Sequence, residues 1–339
     1  MITKIKKLIN YVIDFFVFFY DLFLFRLRKK NSLRSYNIFL RLFFLTGGIS
    51  NDIINFFVSK KPKKFLTNRG LLSKYDAVEL KKYQENLKKN GYLILENILT
   101  TNEVDYLAND LKKKDGFYLS DKNGVSAKQR LNLDNPAEVK FFYSSQDIIN
   151  TKSFQKILFD SSLINFSQEY LNSYPVIDNI SSWWSFPSNK PDKNAAQWWH
   201  FDLERPKWLK FFFFMTDCTL ETGAHSFVKE THKNNGINWH LRKKGYSRLS
   251  DEEINKYYKK EKIIDMTLSK GSLLIEDTRG LHKGKKLLKD KRFLIQLQFS
   301  SSAFGTKIEK FFLPKTQDKN YKNVMEEFKH TYSLFRNEQ

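Results

Sequence analysis

Cysteine is nearly absent from this 339-residue chain, where Cys218 stands alone. A single thiol excludes an intrachain disulfide framework and any zinc site built on several cysteines. It fits a reducing compartment, so the expected location is cytoplasmic, and Cys218, just after an apolar run, reads as inert packing. Acidic residues are also scarce, 37 against 58 Lys and Arg, for a formal net charge of +21. Such an excess invites a nucleic-acid reading. The lysines, however, are scattered through every segment, no nucleic-acid module is recognisable, and the aromatic residues fall in core-like runs, so no nucleic acid is expected as a partner. A basic cleft would still attract an anionic small molecule. The chain has no internal repeat and no apolar run of the ~20 residues a bilayer span requires. The stretch from Leu8 to Phe25 falls short and is interrupted by Asn10, Asp14 and Asp21. Arg26, Arg28, Lys29 and Lys30 follow it in place of a small-residue cleavage site, which argues against a signal peptide.

At 100° per residue, positions 10, 14 and 21 lie within about 40° of one another, and the rest of that helix is Phe, Leu, Ile, Val and Tyr. Residues 1–50 therefore read as an aromatic, basic helical extension. Two expectations stand side by side for it: peripheral membrane contact through residues 8–25, or packing on the protein itself. Residues 51–75, with Lys60, Lys61, Pro62, Lys63, Lys64 and Asn68, read as a polar connector. The main domain is expected over 76–305. In it Thr100 to Glu103 forms a capping box opening a helix through about Lys112. Trp208 to Met215 is a continuous apolar run closed by Thr216 and Asp217, as in a strand buried on both faces, and Phe211 to Phe214 are core. Lys270 to Asp277 reads as a turn and strand, and Arg292 to Phe299 as an alternating strand. Residues 229–262 are long for a connection and contain Tyr246, Arg248 and a short helix capped by Ser250 and Glu253. They read as an ordered insertion over the site mouth, where substrate selectivity would reside. The tail, 306–339, is expected to be helical from about Asn320.

The chemistry concentrates in Trp198-Trp199-His200-Phe201-Asp202 and Gly280-Leu281-His282-Lys283-Gly284. In an extended strand alternate side chains share a face, so His200 and Asp202 can grip one metal ion, with His282, in a connection between strands, as third ligand. Two imidazoles and one carboxylate on one octahedral face leave open positions, the arrangement of non-haem Fe(II) oxygenases. Glu204 would share that face if the strand continued, but Arg205 and Pro206 suggest that it ends, leaving Glu204 in an ion pair; Asp277 near Arg279 reads the same way. His225 and His232 lack close ligand spacing and read as loop histidines.

By the order and spacing of His200-x-Asp202, Thr216-Asp217 to Gly223, Gly271, His282 and Arg292, with Asn90 to Val104 as N-terminal strand and helix, the chain resembles the phytanoyl-CoA dioxygenase family of Fe(II)/2-oxoglutarate-dependent oxygenases. The resemblance spans about residues 80 to 305. It implies a mostly β fold with flanking helices around a double-stranded β-helix (jelly-roll, cupin-like) core, and Fe(II) on His200, Asp202 and His282. Arg292 would pair with the far carboxylate of 2-oxoglutarate, because a planar guanidinium clamps a carboxylate through two parallel hydrogen bonds and Lys291 cannot. Trp198 and Thr278 are further candidate co-substrate contacts. The implied activity is hydroxylation of a small-molecule or lipid-linked substrate with O2, yielding succinate and CO2. Halogenating relatives carry a small residue at the carboxylate position, so Asp202 favours hydroxylation. The alternatives are epimerisation or desaturation at the same iron, or a non-catalytic membrane-associated binding protein.

Overall fold

Along Trp208 to Phe214 successive side chains point to opposite faces of a strand, and every one is buried. The two coverings define the fold. The computed structural model describes residues 2–62, 69–314 and 318–337, with side chains described at Asn10 and from Val12 onward. Lys63, Lys64 and Asn68 of the expected connector lie outside the described residues.

Three helices open the chain: α1 (Ile2–Arg28), α2 (Leu33–Thr46) and α3 (Ile49–Val58). Then come α4 (Ala77–Asn90), β1 (Tyr92–Leu95) and α5 (Thr101–Lys112), which starts at the reciprocal Thr100–Glu103 capping box. Short strands β2 (Asp115–Ser120), β3 (Gly124–Val125), β4 (Gln129–Arg130) and β5 (Lys140–Phe142) precede α6 (Ser145–Ile149), α7 (Lys152–Leu158) and α8 (Ser161–Leu171). The remainder runs β6 (Val176–Ser185), β7 (Trp208–Phe214), β8 (His225–Val228), α9 (Trp239–Arg242), α10 (Asp251–Asn255), β9 (Ile263–Met266), β10 (Leu273–Glu276), β11 (His282–Gly284) and β12 (Arg292–Ser300). The tail adds β13 (Phe311–Phe312), α11 (Lys319–Glu327) and β14 (Phe335–Arg336), the last paired with β13.

The large antiparallel sheet has the order β1-β10-β7-β12-β6-β5-β2-β3, with β4 also on β2, and the small one β11-β8-β9. Between the sheets Phe212, Phe214, Leu274 and Leu294 meet Phe227 and Met266. On the outer face Phe211, Phe213, Ile275 and Ile295 pack with Val104, Leu107, Ile157 and Leu163 of the helices. Each such buried side chain contributes ~1.5–3 kcal/mol. This is the jelly roll with flanking helices.

Several expectations are corrected. The expected break after residue 50 falls inside α3, whose Ile54 and Val58 are buried, so its amphipathic run overrides the polar composition of the wider window. His282 heads β11 and His225 opens β8, and the two strands pair antiparallel with Gly284 opposite His225 and His282 opposite Phe227. Trp198 to Asp202 forms no continuous strand. It is held by two isolated bridges, Trp199 with Leu249 and His200 with His282. The tail is not simply helical, since Phe328, Tyr332 and Phe335 join the main core.

In α1, Phe18, Leu22 and Phe25 are spaced for one helical face. They are buried with Phe39, Phe43 and Phe304. Asp14 pairs with Arg34 and Arg41, and Asp21 accepts from Ser32 and Ser35, so the acidic stripe faces α2. Phe15, Phe16, Phe19, Tyr20 and Phe23 remain exposed. No helix among the described residues is long and apolar enough to cross a membrane.

Candidate metal centre

His200 and His282 are directly opposed residues of an antiparallel bridge: His200 N–H donates to His282 O at 3.0 Å, and His282 N–H returns the bond at 2.9 Å. Their rings consequently face each other with centroids 4.2 Å apart. Asp202 N–H donates to Thr278 O at 2.9 Å, which brings its carboxylate to the same point. Its Oδ1 lies 3.9 Å from His200 Nε2 and its Oδ2 3.5 Å from His282 Nε2. The potential ligand atoms of the three residues all lie within 4.8 Å of one another.

The backbone also sets the tautomers. His200 Nδ1 is 2.8 Å from Trp198 O, and His282 Nδ1 is 2.9 Å from Gly280 O. A carbonyl oxygen only accepts, so each Nδ1 carries the proton and each Nε2 lone pair points at Asp202, as a metal ligand requires. Burial, reinforced by His282, pushes His200 well below its ordinary value, and burial likewise lowers His282, so both imidazoles are neutral. Burial would raise the Asp202 carboxyl, but the Lys210 ammonium hydrogen-bonded to it outweighs burial and holds it well below the usual carboxylate range. Lys210 Nζ lies 2.6 Å from Asp202 Oδ2 and 3.5 Å from Glu204 Oε1. The donor set of two neutral nitrogens and a charged carboxylate fits Fe(II).

These groups open into a cavity of about 420 Å³ between the sheets, also lined by Lys140, Trp183, Arg248, Arg292 and Gln296. Arg292 is buried, donates through one terminal nitrogen to Gly223 O, and has a buried Nε without a hydrogen-bond partner. A Cβ at Gly284 would stand 3.1 Å from its guanidinium, so glycine there leaves the cation room. Burial, then the neighbouring Arg292 charge, lowers Lys140 to about 8. Two neighbouring cations on the wall of this cavity fit the dianion 2-oxoglutarate.

The structure brings His200, Asp202, His282 and Arg292 together at one cavity. Trp198 does not line it; its indole donates to Pro191 O at 3.3 Å. Thr278 does not line it either, and its hydroxyl accepts from Trp208 Nε1 at 2.8 Å. Glu204 pairs with Lys210, whereas Arg205 turns to buried Asp178 at 2.6 Å. Asp277 does pair with Arg279, at 2.6 Å. His225, expected in a loop, lines the cavity beside His282 with Nε2 2.7 Å from Glu276 Oε2. His232 is in a loop and buried, its ring nitrogen meeting Lys88 O at 3.1 Å. Lys140, Lys210 and His225 were missed. Alternation along β7 from buried Phe212 would have turned Lys210 to the cavity, but Lys140 lies in a three-residue strand with too little periodicity to read.

The phytanoyl-CoA dioxygenase (PhyH) family model matches residues 87–290, more than half of the chain. The chain belongs to this family. It is accordingly an enzyme dependent on Fe(II) and 2-oxoglutarate. No curated protein matches it. Among solved structures, HygX from Streptomyces hygroscopicus, with nickel and 2-oxoglutarate bound, is similar at 15% identity and a TM-score of 0.49, over 70% of this chain and 92% of that one. The 2-oxoglutarate-dependent epimerase SnoN from nogalamycin biosynthesis is similar at 13% identity and 0.46, over 72% and 98%. EctD from S. alaskensis stands at 15% and 0.47, over 72% and 81%.

Proposed function

We propose that this member of the family hydroxylates a small molecule, with Fe(II) held by His200, Asp202 and His282 and the far carboxylate of 2-oxoglutarate held by Arg292 with Lys140. The observation that carries the reading is the pair of Nδ1 bonds to Trp198 O and Gly280 O, which leave both Nε2 atoms convergent on Asp202. The buried, unpaired Arg292 Nε supports the co-substrate position. When bound, iron with 2-oxoglutarate and O2 supplies the oxidising power, with succinate and CO2 as products. The chain supplies placement: backbone bridges fix the two imidazoles, Lys210 fixes the carboxylate, Arg292 and Lys140 neutralise the co-substrate, and the sheets exclude water. Asp202 at the carboxylate position favours hydroxylation.

The insertion 229–262 contributes Arg248 to the cavity and Leu249 to the bridge with Trp199. We assign substrate selectivity to it, and an anionic group as the part of the substrate that Arg248 meets. The exposed aromatic face of α1, within residues 8–25 and flanked by basic residues, supports peripheral contact with the cytoplasmic side of a bilayer.

Anaerobic addition of Fe(II) and 2-oxoglutarate to the purified protein should give the visible charge-transfer band of the chelate. His282→Ala should lose it, and Arg292→Ala should require more 2-oxoglutarate, on the order of tenfold or more, given the strength of a charge-assisted bidentate pair. A full-strength band in Asp202→Ala would refute the ligand assignment.

A further inference from the structure

A second cavity, of about 760 Å³, opens among α1, α2 and α3 on the outside of the molecule. Phe15, Phe19, Leu42, Leu45, Ile53 and Phe57 line it, with Trp239 of the insertion. Its size is that of ligand sites, about 300–1,000 Å³. A polar ligand would gain few partners on these mostly apolar walls to offset its dehydration. Phe19, Leu45 and Ile53 are 51%, 69% and 56% exposed, although they sit on helices whose opposite faces are firmly docked. Exposed apolar area this extensive marks an interaction surface.

Charge decides the occupant. The charged lining residues are Arg41, Lys243 and Asp14, and Asp14 is already paired with Arg34 and Arg41. Arg26 and Arg28 lie in the last turn of α1, Lys29 and Lys30 follow it, and Lys60 and Lys61 follow α3. Two copies of a chain of net charge +21 repel each other, whereas an anionic lipid surface attracts every one of these cations. We propose that the groove receives the hydrocarbon chain of an anionic lipid standing in a bilayer, with Arg41 and Lys243 toward its head group. This deepens the reading of α1 as a bilayer contact and rests on it. It also places the chain close to the chemistry: Phe44 lines the groove and its ring is 6.5 Å from that of Phe201, the residue between His200 and Asp202.

Trp239 provides the readout, since bromine on a lipid chain quenches indole fluorescence on contact. The full chain is mixed with phosphatidylcholine vesicles containing chain-brominated phosphatidylglycerol, and sedimentation and fluorescence are both recorded. The expected result is co-sedimentation with quenching. Trp239→Phe should keep sedimentation and lose that share of the quenching; Ile53→Asp, a change at an exposed position, should lose the quenching while keeping far-UV circular dichroism and the iron chelate band. Sedimentation without Trp239-dependent quenching, or quenching unchanged in Ile53→Asp, would overturn the groove and leave the bilayer contact standing. No sedimentation with anionic vesicles would overturn both. Equal quenching by monomeric dibromostearate, with vesicles ineffective, would replace the bilayer lipid with a free fatty acid and overturn the proposal as stated.

Discussion

His200 and His282 show how little side-chain freedom the centre retains. Each imidazole is tied at Nδ1 to the carbonyl two residues before it, and the two backbones are joined by a reciprocal bridge. Lys140 is the residue with the most testable charge. Its depression to about 8, by burial and by Arg292, means that it is charged below that pH and neutral above it. A bound dianion favours the charged form, so affinity for 2-oxoglutarate should fall as pH rises through about 8, by about tenfold or 1.4 kcal/mol per unit of pKa that binding restores. Titration of the chelate band between pH 7 and pH 9.5 would measure this. Lys140→Met should bind more weakly at pH 7 with the slope removed, and a slope identical to the parent's would exclude Lys140 from the co-substrate end.

At the scale of elements, the decisive piece is the extended segment from Trp199 to Leu203. Its odd-numbered residues, Trp199, Phe201 and Leu203, are buried in the core that includes Phe18, Phe43 and Phe304, while His200 and Asp202 face the cavity. The N-terminal helices thus form the back wall of the ligand segment. Phe201, which is 5.7 Å from Phe43 by ring centroids, anchors it. Phe201→Ala should cost ~3–5 kcal/mol in denaturant unfolding, the usual range for emptying a buried aromatic site. The same variant should weaken the iron chelate band, because its two ligands would lose their anchor. Full band intensity at unchanged Fe(II) affinity would show that the backbone bridges alone hold the ligands.

For the whole molecule, the basic balance makes acid conditions unfavourable, and the partly buried His330 sharpens the effect. Burial, then Lys60 and Lys29, lowers His330 to about 4. The unfolded chain takes a proton near pH 6.5 and the folded one only near 4. The stability associated with neutral His330 is therefore fully present above about pH 6.5 and is lost as pH falls toward 4, with no further loss below. Tm should decline between pH 6.5 and pH 4. His330→Gln should show a shallower decline; an unchanged profile would assign the acid sensitivity to other groups.

The sequence by itself determined the catalytic class and the class of fold. The continuous apolar run around Phe211 to Phe214 and the alternation from Arg292 to Phe299 are local patterns, and His200, Asp202, His282 and Arg292 have the order and spacing by which the chain resembles the family. The capping boxes at Thr100 and Ser250 were legible for the same reason, since both partners lie within one turn. Tertiary structure decided everything that depends on two segments meeting. His225 reached the site because β8 pairs with β11, and Trp198 left it because its indole found Pro191 O. The acidic stripe of α1 fitted either a membrane-lying helix or one packed on the protein; in the fold it is consumed by Arg34 and Arg41 and by the hydroxyls of Ser32, the N-cap of α2, and Ser35. A helix's periodicity specifies which residues share a face; only packing against another element specifies where that face points.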